Sequence, residues 1–338
     1  MSRTPLKPVA AAVVAVLALA TLLTACGGGP AARSASSSTT AVTVAGSDYL
    51  GGAPVYTATA GKLWAGNGLT PRLQSFSTGR DALNAVLGGQ AQYGVVGDLP
   101  AVSAVLGGRN IKILAALSGF TDWRLLTTKS AAITSFADLK GRRIGLPEGT
   151  NVQYALSGML SRAGLKPGDV TLVNLAPNQV TPSLARGDID AGLTFPSFYD
   201  TTKTTLGTKY RELRYDGYTC RTLLIAGPGA DTATSTAVLR TLTAATKTIA
   251  DKPAAAREAV VAQSGGAVQP AFVNGHFTSY DYAVTLDKPL LQLLLAEGAW
   301  AKSTQMLPGT PDRATFLEHI DREPLQNAAP AAVTLPTS

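Results

Sequence analysis

The sequence has few of the side chains that bind metals or form disulfides. Its 338 residues include two cysteines, Cys26 and Cys220, and two histidines, His276 and His319. Two cysteines permit one disulfide at most and no multi-thiolate zinc site, and the histidines have no metal-binding spacing such as HxxxH. We therefore expect no metal and no cofactor.

Charge is also scarce, at 15% of the residues, and the basic side chains are dispersed. The formal net charge is +7, but no block of five or six lysines and arginines occurs. Nucleic-acid binding therefore has little support. With 34 glycines and 20 prolines the chain is not collagen-like or of low complexity, and 45% hydrophobic residues can fill the core of one large domain or two ordinary ones.

Motifs of common catalytic sites are missing too. The chain contains no GxSxG, HExxH, GxxxxGK[ST] or SxxK sequence. Both histidines fall in a C-terminal region of helical pattern, away from every predicted strand end. The sequence therefore does not predict an enzyme.

The first 26 residues have the three parts of an export signal. Arg3 and Lys7 precede an apolar run from Val9 to Leu23, and the run ends in the sequence Leu-Thr-Ala-Cys. The run is shorter than the roughly 20 residues that span a bilayer as a helix, which disfavours a permanent transmembrane anchor. An exported protein is the better interpretation.

The sequence Leu-Thr-Ala-Cys resembles the lipobox of bacterial lipoproteins. The resemblance implies that residues 1–25 are a signal peptide and that Cys26 receives an acyl chain such as palmitate. Residues 26–40, rich in Gly, Ser and Thr, then form a flexible, lipid-anchored tether at the outer face of the cell membrane. An ordinary secretory signal is one alternative. A Cys26–Cys220 disulfide is another, disfavoured because Cys26 lies in the leader.

From residue 41 onward, short β-branched runs alternate with helical patterns, which predicts an α/β fold. Residues 87–97, LGGQAQYGVVG, are echoed by residues 185–195, ARGDIDAGLTF, with two glycines in register. Each predicts the end of a helix, a short buried strand and a loop. Ligands of open α/β sheets bind beyond the carboxyl ends of strands, so two equivalent strand ends predict two lobes that face one cleft. A chance echo is the alternative.

Four further segments carry a resemblance to a known family. They are FSTG at 76–79, LNAVLGGQAQYGVVGDLPA at 83–101, ADLKGRRIGLPEGTNVQY at 137–154 and LARGDIDAGLTF at 184–195. In this order they resemble the solute-binding proteins of sulfonate, taurine and nitrate ABC importers.

The resemblance implies the two-lobed type II periplasmic-binding-protein fold, in which each lobe is a mixed, mostly parallel sheet flanked by helices. Residues 41–128 form the first part of lobe 1, 129–225 form lobe 2, and 226–320 complete lobe 1 with helices, followed by a C-terminal tail at 321–338.

The implied function is capture of a small polar, anionic molecule by lobe closure and its delivery to the permease of an ABC importer, by a monomer. One alternative is a lipid-anchored ligand sensor or adhesin. Another is an enzyme related to the pyrimidine synthases of thiamine biosynthesis, whose cysteine-rich signature is missing.

Candidate ligand-binding residues follow predicted strands or begin predicted helices. They are Ser47, Asp48, Tyr49, Ser77, Thr78, Gly97, Asp98, Gly149, Thr150, Asn151 and Phe195. The N–H groups at a helix start favour an anionic head group, and Thr150 and Asn151 add side-chain donors. Alternatively Thr150 only caps its helix. At Ser77-Thr78 the resemblance implies a hydroxyl that binds a ligand oxygen.

Three of these residues have more specific roles. Asp98 belongs to a GDxP loop and is expected to cap a helix, because a carboxylate would repel an anion. Gly149 is expected to allow close approach before its helix. Phe195 stands where family members often have tryptophan, in a Phe-Pro-Ser run instead of Trp-Asp/Glu-Pro. The resemblance therefore implies a sulfonate- or nitrate-like anion without establishing the specificity of the sulfonate binders.

Overall fold

The structure, a computed structural model, describes residues 39–47, 50–266 and 268–336. Residues 40–120 contain alternating strands and helices, as the pattern predicts. They are β1 (Thr40–Ser47), α1 (Ala53–Ala60), β2 (Leu69–Phe76), α2 (Gly79–Leu87), β3 (Tyr93–Gly97), α3 (Asp98–Leu106) and β4 (Lys112–Phe120). Helix α2 begins where the sequence predicts because Thr78 is its N-cap, whose hydroxyl accepts a hydrogen bond from the N–H of Asp81.

The segment from residue 123 to residue 215 repeats this alternation. Its elements are β5 (Trp123–Thr128), β6 (Arg143–Leu146), α4 (Asn151–Arg162), β7 (Thr171–Asn174), α5 (Val180–Arg186), β8 (Ala191–Leu193), α6 (Tyr199–Leu206) and β9 (Tyr210–Tyr215). A 3₁₀ turn, Phe136–Leu139, begins after Ser135, its N-cap. The backbone N–H groups of Thr134 and Ser135 donate to the Asp138 carboxylate and lower its pKa to about 2.

The segment from residue 220 to residue 328 is mostly helical. Its elements are β10 (Cys220–Ala226), α7 (Thr232–Asp251), α8 (Pro253–Gln263), α9 (Pro270–His276), β11 (Tyr280–Thr285), α10 (Lys288–Ser303), α11 (Arg313–His319) and α12 (Glu323–Ala328). Helix α7, with 20 residues, is the longest in the part of the chain that the structure describes. Among the helices that the structure describes, none combines the length and the apolar character needed to cross a membrane.

The strands form two sheets, which confirms the predicted two-lobed α/β fold. Their orders are β11-β4-β10-β3-β1-β2 in lobe 1 and β7-β6-β8-β5-β9 in lobe 2. Four of the strand pairings are parallel and five are antiparallel, so the expectation of mostly parallel sheets was wrong. Four of the five antiparallel pairings involve β5 or β10, which enter their sheets directly from the other lobe and run against their neighbours, and the fifth joins β11 to β4.

The similar segments 87–97 and 185–195 contain strands in equivalent positions of the two sheets. β3 lies between β1 and β10, β8 lies between β6 and β5, and each has one parallel and one antiparallel neighbour. A Cβ at Gly94 would lie 3.0 Å from Val86 of α2, and one at Gly192 would lie 2.5 Å from Val180 of α5. Both glycines therefore allow the preceding helix to pack closely on the strand.

The chain changes sheet earlier than the resemblance implies. The first change falls between Phe120 and Trp123 and the second between Tyr215 and Cys220, whereas changes at 128 and 225 were expected. Strand β5 thus belongs to lobe 2 and strand β10 to lobe 1. A strand's sheet is decided by distant pairing partners, and local pattern does not reveal them.

The two crossovers between the lobes lie side by side. The indole of Trp123 stacks on the ring of Tyr218 with centroids 5.4 Å apart, and its Nε1 donates to the Tyr218 carbonyl oxygen at 3.1 Å. The two segments that connect the lobes thus pack against each other. Hinges between domains usually lie in such connecting segments.

The C-terminal part of the chain differs from the expectation in two ways. Strand β11 lies within the region expected to be helical and forms an edge of the first sheet by pairing with β4. Residues 321–336 are not a free tail, because α12 packs on α7 and both Leu325 and Leu335 are buried in the core of lobe 1. These residues complete the first lobe.

Candidate functional site

A cavity of about 680 Å³ lies between the lobes, at the carboxyl ends of strands from both sheets. Its lobe 1 wall consists of residues at the ends of β1 and β2 together with Asp81 of α2. Its lobe 2 wall consists of the segments that follow β7 and β8. The lining residues are Ser47, Ser75, Phe76, Ser77, Asp81, Ala176, Pro177, Asn178, Phe195, Ser197 and Phe198. This is the position where ligands bind in open α/β sheets.

A narrower pocket extends from this cavity towards the crossovers. It shares Ser47 and Phe195 with the cavity and also contacts Arg80, Trp123 and Cys220. The cavity and the narrower pocket together form one cleft between the lobes.

Six of the predicted site residues line the cleft. They are Ser47, Ser77, Gly97, Thr150, Asn151 and Phe195. Thr78, Asp98 and Gly149 lie beside it without lining either part. Asp48, Tyr49, Cys26 with its leader, and the tether as far as residue 38 lie outside the described residues.

The hydroxyl of Thr78 is used within the protein. It donates to Asp81 Oδ2 at 2.8 Å and accepts from the Asp81 backbone N–H at 3.1 Å. The neighbouring Ser77 lines the cavity, and its side chain makes no hydrogen bond with any described residue. Of the two predicted hydroxyls, that of Ser77 lines the cavity and that of Thr78 does not.

The segment before α4 also uses its polar groups locally. Thr150 Oγ1 donates to the Pro147 carbonyl oxygen at 2.8 Å and does not cap the helix. Gly149 has a φ of 72°, and a Cβ there would lie 2.8 Å from Arg80 Nη1, which donates to the Glu148 carbonyl oxygen at 2.8 Å. The close approach predicted at Gly149 is thus made by an arginine of the opposite lobe.

Asp98 is fully buried at the first turn of α3. Its carboxylate accepts the backbone N–H of Leu99 at 3.0 Å, the N–H of Arg221 at 2.7 Å and the hydroxyl of Tyr218 at 2.6 Å. The side-chain amide of Asn151 also donates to it. The N-cap of α3 is Gly97, so Asp98 does not cap the helix as expected. Because Asn151 begins α4, the contact of Asp98 with Asn151 joins the two lobes behind the cleft.

A second carboxyl, that of Glu297 in α10, is buried beside the first. Tyr218 Oη lies 2.9 Å from Glu297 Oε1, and Glu297 Oε2 has no hydrogen-bond partner among the described residues. Neither carboxyl takes part in an ion pair within the part of the chain that the structure describes. Burial raises the pKa of Asp98 to about 6 and the pKa of Glu297 well above its ordinary value.

The number of protons available for hydrogen bonding determines the charges of Asp98 and Glu297. A tyrosine hydroxyl has one proton and cannot donate to both carboxyls, so one of the two contacts needs a carboxyl proton. Asp98 already accepts two backbone N–H groups and an amide, whereas the partners of Glu297 among the described residues are Tyr218 and the Asp98 carboxyl itself. Glu297 is therefore protonated and donates to Tyr218, and Tyr218 donates to ionised Asp98.

Sequence reasoning missed three of these residues: Arg80, Tyr218 and Glu297. Only Glu297 has a visible signal, an acidic side chain inside the apolar run from Leu290 to Trp300. A charge on the buried face of a helix needs a partner, which predicts a polar cluster. Arg80 and Tyr218 stand in unremarkable sequence, and only the fold brings them to the cleft.

The sequence is similar to those of known proteins. The family model for NMT1/THI5-like proteins matches residues 51–257. The chain belongs to the NMT1/THI5-like family. A Brucella abortus protein named as a binding protein is 33% identical over 152 residues, 44% of this chain and 46% of that one. The taurine-binding periplasmic protein of Escherichia coli is 32% identical over 124 residues, 37% of this chain and 38% of that one. The chain thus spans less than half the length of these curated relatives.

A solved structure extends the likeness to most of the chain. The alkanesulfonate-binding protein SsuA of Xanthomonas axonopodis pv. citri, bound to MOPS, superposes with a TM-score of 0.71 at 20% identity. The superposition covers 83% of this chain and 98% of SsuA. At this identity the likeness shows the fold alone. Together with the taurine-binding relative, it confirms the resemblance predicted from the sequence.

Proposed function

We propose that the protein is an extracytoplasmic binding protein that captures a small polar, anionic molecule between its lobes and delivers it to the permease of an ABC importer. The observation that carries the proposal is the cavity of about 680 Å³, lined by the carboxyl ends of strands from both lobes. A ligand that contacts both walls favours the conformation in which they are close, and a permease can distinguish that conformation from the open one.

Uncharged donors on both walls support an anion of the sulfonate or nitrate type. Ser77 precedes the first turn of α2, where backbone N–H groups and the helix dipole favour negative charge. Asn178 and Ser197 face the cavity from lobe 2, and their side chains make no hydrogen bond with a described residue. These groups remain available to ligand oxygens.

Anions that bind between the lobes are expected to raise the melting temperature of the full chain in non-ionic detergent. A ligand at a hundred times its Kd stabilises the fold by about 2.7 kcal/mol, which for a chain of this size is a shift of several degrees. Methanesulfonate, taurine, nitrate and bicarbonate are tested in Tris, because MOPS and HEPES are themselves sulfonates. Choline chloride is the cationic control. If no anion shifts the melting temperature and small-angle scattering shows no compaction, the importer function is wrong and a sensor or adhesin is favoured.

We infer that the cleft binds its ligand without catalysing a reaction. Cys220 lines the narrower pocket, but burial and the neighbouring Asp98 carboxylate raise the pKa of its thiol well above the usual value, which disfavours a thiolate nucleophile. Neither His276 nor His319 lines the cleft. Within the described ranges, no group of three or more His, Cys, Asp or Glu side chains is placed to hold a metal ion.

We further propose that an acyl chain on Cys26 holds the protein at the outer face of the cell membrane. The Leu-Thr-Ala-Cys sequence at the end of an apolar run supports this anchor. Cys26→Ser is expected to move the protein from the membrane fraction to the soluble extracytoplasmic fraction and to abolish labelling by a palmitate analogue. Cys220→Ser is the matched control and is expected to stay membrane-bound and labelled. Continued membrane attachment of the Cys26 variant would contradict the anchor.

A further inference from the structure

Phenylalanine is concentrated at the cavity between the lobes. Phe76 follows β2 in lobe 1, and Phe195 and Phe198 follow β8 in lobe 2; all three are half-buried and line the cavity. They account for three of the eight phenylalanines in the chain. A binding site for a fully hydrated small anion would gain nothing from so much apolar surface.

These three rings are not used to pack the protein's own aromatic core. Four of the ring–ring contacts among the described residues form a continuous series through Phe120, Trp123, Tyr218, Tyr154 and Trp300. None of those contacts, nor any other ring–ring or cation–ring contact in the described ranges, includes one of the three cavity phenylalanines. Phe76 and Phe195 also pack against the hydrophobic cores of their own lobes, so only the parts of the three rings that line the cavity are available to a ligand.

The polar groups of the same cavity limit the charge of that ligand. Ser77, Asn178 and Ser197 supply neutral donors, and among the described residues no lysine or arginine lines the cavity. Its one charged lining residue is Asp81, whose carboxylate accepts the hydroxyl of Thr78. Neutral donors can bind a single anionic group, and the Asp81 carboxylate, which repels negative charge, disfavours a dianion.

We propose that the ligand is an aromatic monoanion, whose ring packs between Phe76 and the Phe195–Phe198 pair as the lobes close. Its anionic group contacts the neutral donors at Ser77, Asn178 and Ser197. This inference rests on the proposed binding function and deepens it by naming the ligand class. Aromatic pairs gain affinity beyond the apolar area that they bury, so a planar ring is preferred over an aliphatic group of equal size.

Titration calorimetry of the full chain with benzenesulfonate and cyclohexanesulfonate tests the proposal. The two probes share their head group and carbon count and differ in the aromatic ring. Benzenesulfonate is expected to bind about 3- to 10-fold more tightly. Equal affinities, or tighter binding of cyclohexanesulfonate, would overturn the proposal.

Leucine substitutions locate the effect, because leucine keeps apolar area and removes the ring. Phe76→Leu and Phe195→Leu are each expected to weaken benzenesulfonate binding by about 2- to 10-fold and to leave cyclohexanesulfonate within about 2-fold. Phe136→Leu, whose ring packs on Tyr215 away from the cavity, is the matched control and should change neither. Equal losses for both probes would mean that the rings act as apolar surface alone, which contradicts the proposal.

The outcomes separate this inference from the proposed function. If methanesulfonate or taurine raises the melting temperature while benzenesulfonate does not bind, the protein is a binding protein and the aromatic ligand class is wrong. If no anion binds, benzenesulfonate included, both are wrong.

Discussion

Asp98→Ala is expected to lower the free energy of unfolding by about 3–5 kcal/mol, the range for breaking a buried charged network. The substitution removes the acceptor for the N–H groups of Leu99 and Arg221, the hydroxyl of Tyr218 and the amide of Asn151. The N–H groups of Leu99 and Arg221 would lose this acceptor, whereas Asn151 keeps its contacts with Tyr218 and Cys220 and Tyr218 keeps its contact with Glu297. Each buried donor left without a partner costs about 1–3 kcal/mol. Urea denaturation at neutral pH, followed by circular dichroism, measures the loss.

Two variants control this experiment. Asp98→Asn keeps one acceptor oxygen but places an amide against the Arg221 N–H, so a smaller loss of about 1–3 kcal/mol is expected. Asp188→Ala removes an exposed acid whose only ion pair is with Arg186, and a change within about 0.5 kcal/mol is expected. A loss below about 1 kcal/mol for the alanine variant at position 98 would show that the network does not hold the lobes together.

The parts of the fold that the sequence predicts are those specified by neighbouring residues. Helix α2 begins at Thr78 because its cap partner is three residues away, and the glycines of the two echoed strands mark close packing of the helix just before each strand. Such signals lie within one turn or one helix–strand unit. They place helices and strand ends well, and with them the two walls of the cleft.

The parts that the sequence does not predict depend on distant partners. Tyr218 meets Asp98 across 120 residues and Glu297 across 79, and no periodic pattern links positions so far apart. The same limit applies to β5 and β10, each of which was expected in the sheet of the other lobe. It applies at finer scale to Thr78 and Thr150, whose positions were predicted but whose hydroxyls bind their own loops.

Glu297→Gln is expected to stabilise the protein increasingly as the pH rises. In the folded chain Glu297 is buried, donates to Tyr218 and has its pKa raised well above the ordinary value of 4.5. Glutamine has the shape of the protonated carboxyl and an N–H to donate, so little change is expected near pH 5. At higher pH the wild-type chain must take up a proton to fold, and the glutamine variant need not.

The direction of this pH dependence, and the pH range over which it occurs, follow from the linkage between proton binding and folding. A group whose pKa is raised on folding contributes its full stability below its unfolded pKa, and that contribution falls as the pH rises towards the folded pKa. For one proton the fall is about 1.4 kcal/mol per pH unit. Asp98, raised from 3.8 to about 6, contributes in the same direction. Asp138 and Asp231, whose pKa values are lowered, lose their contribution only in more acidic solution.

The measurement is the difference in unfolding free energy between Glu297→Gln and the wild type at pH 5, 6 and 7, in which groups unaffected by the substitution cancel. An advantage for glutamine that grows by roughly 2–3 kcal/mol over these two units is expected while Glu297 keeps its proton. Glu318→Gln, at an exposed glutamate, should show no such trend. A constant loss of stability at every pH would instead mean that Glu297 is ionised and accepts the proton of Tyr218. Asp98 would then carry the shared proton, because two ionised carboxylates do not share one hydroxyl where neither has an ion-pair partner among the described residues.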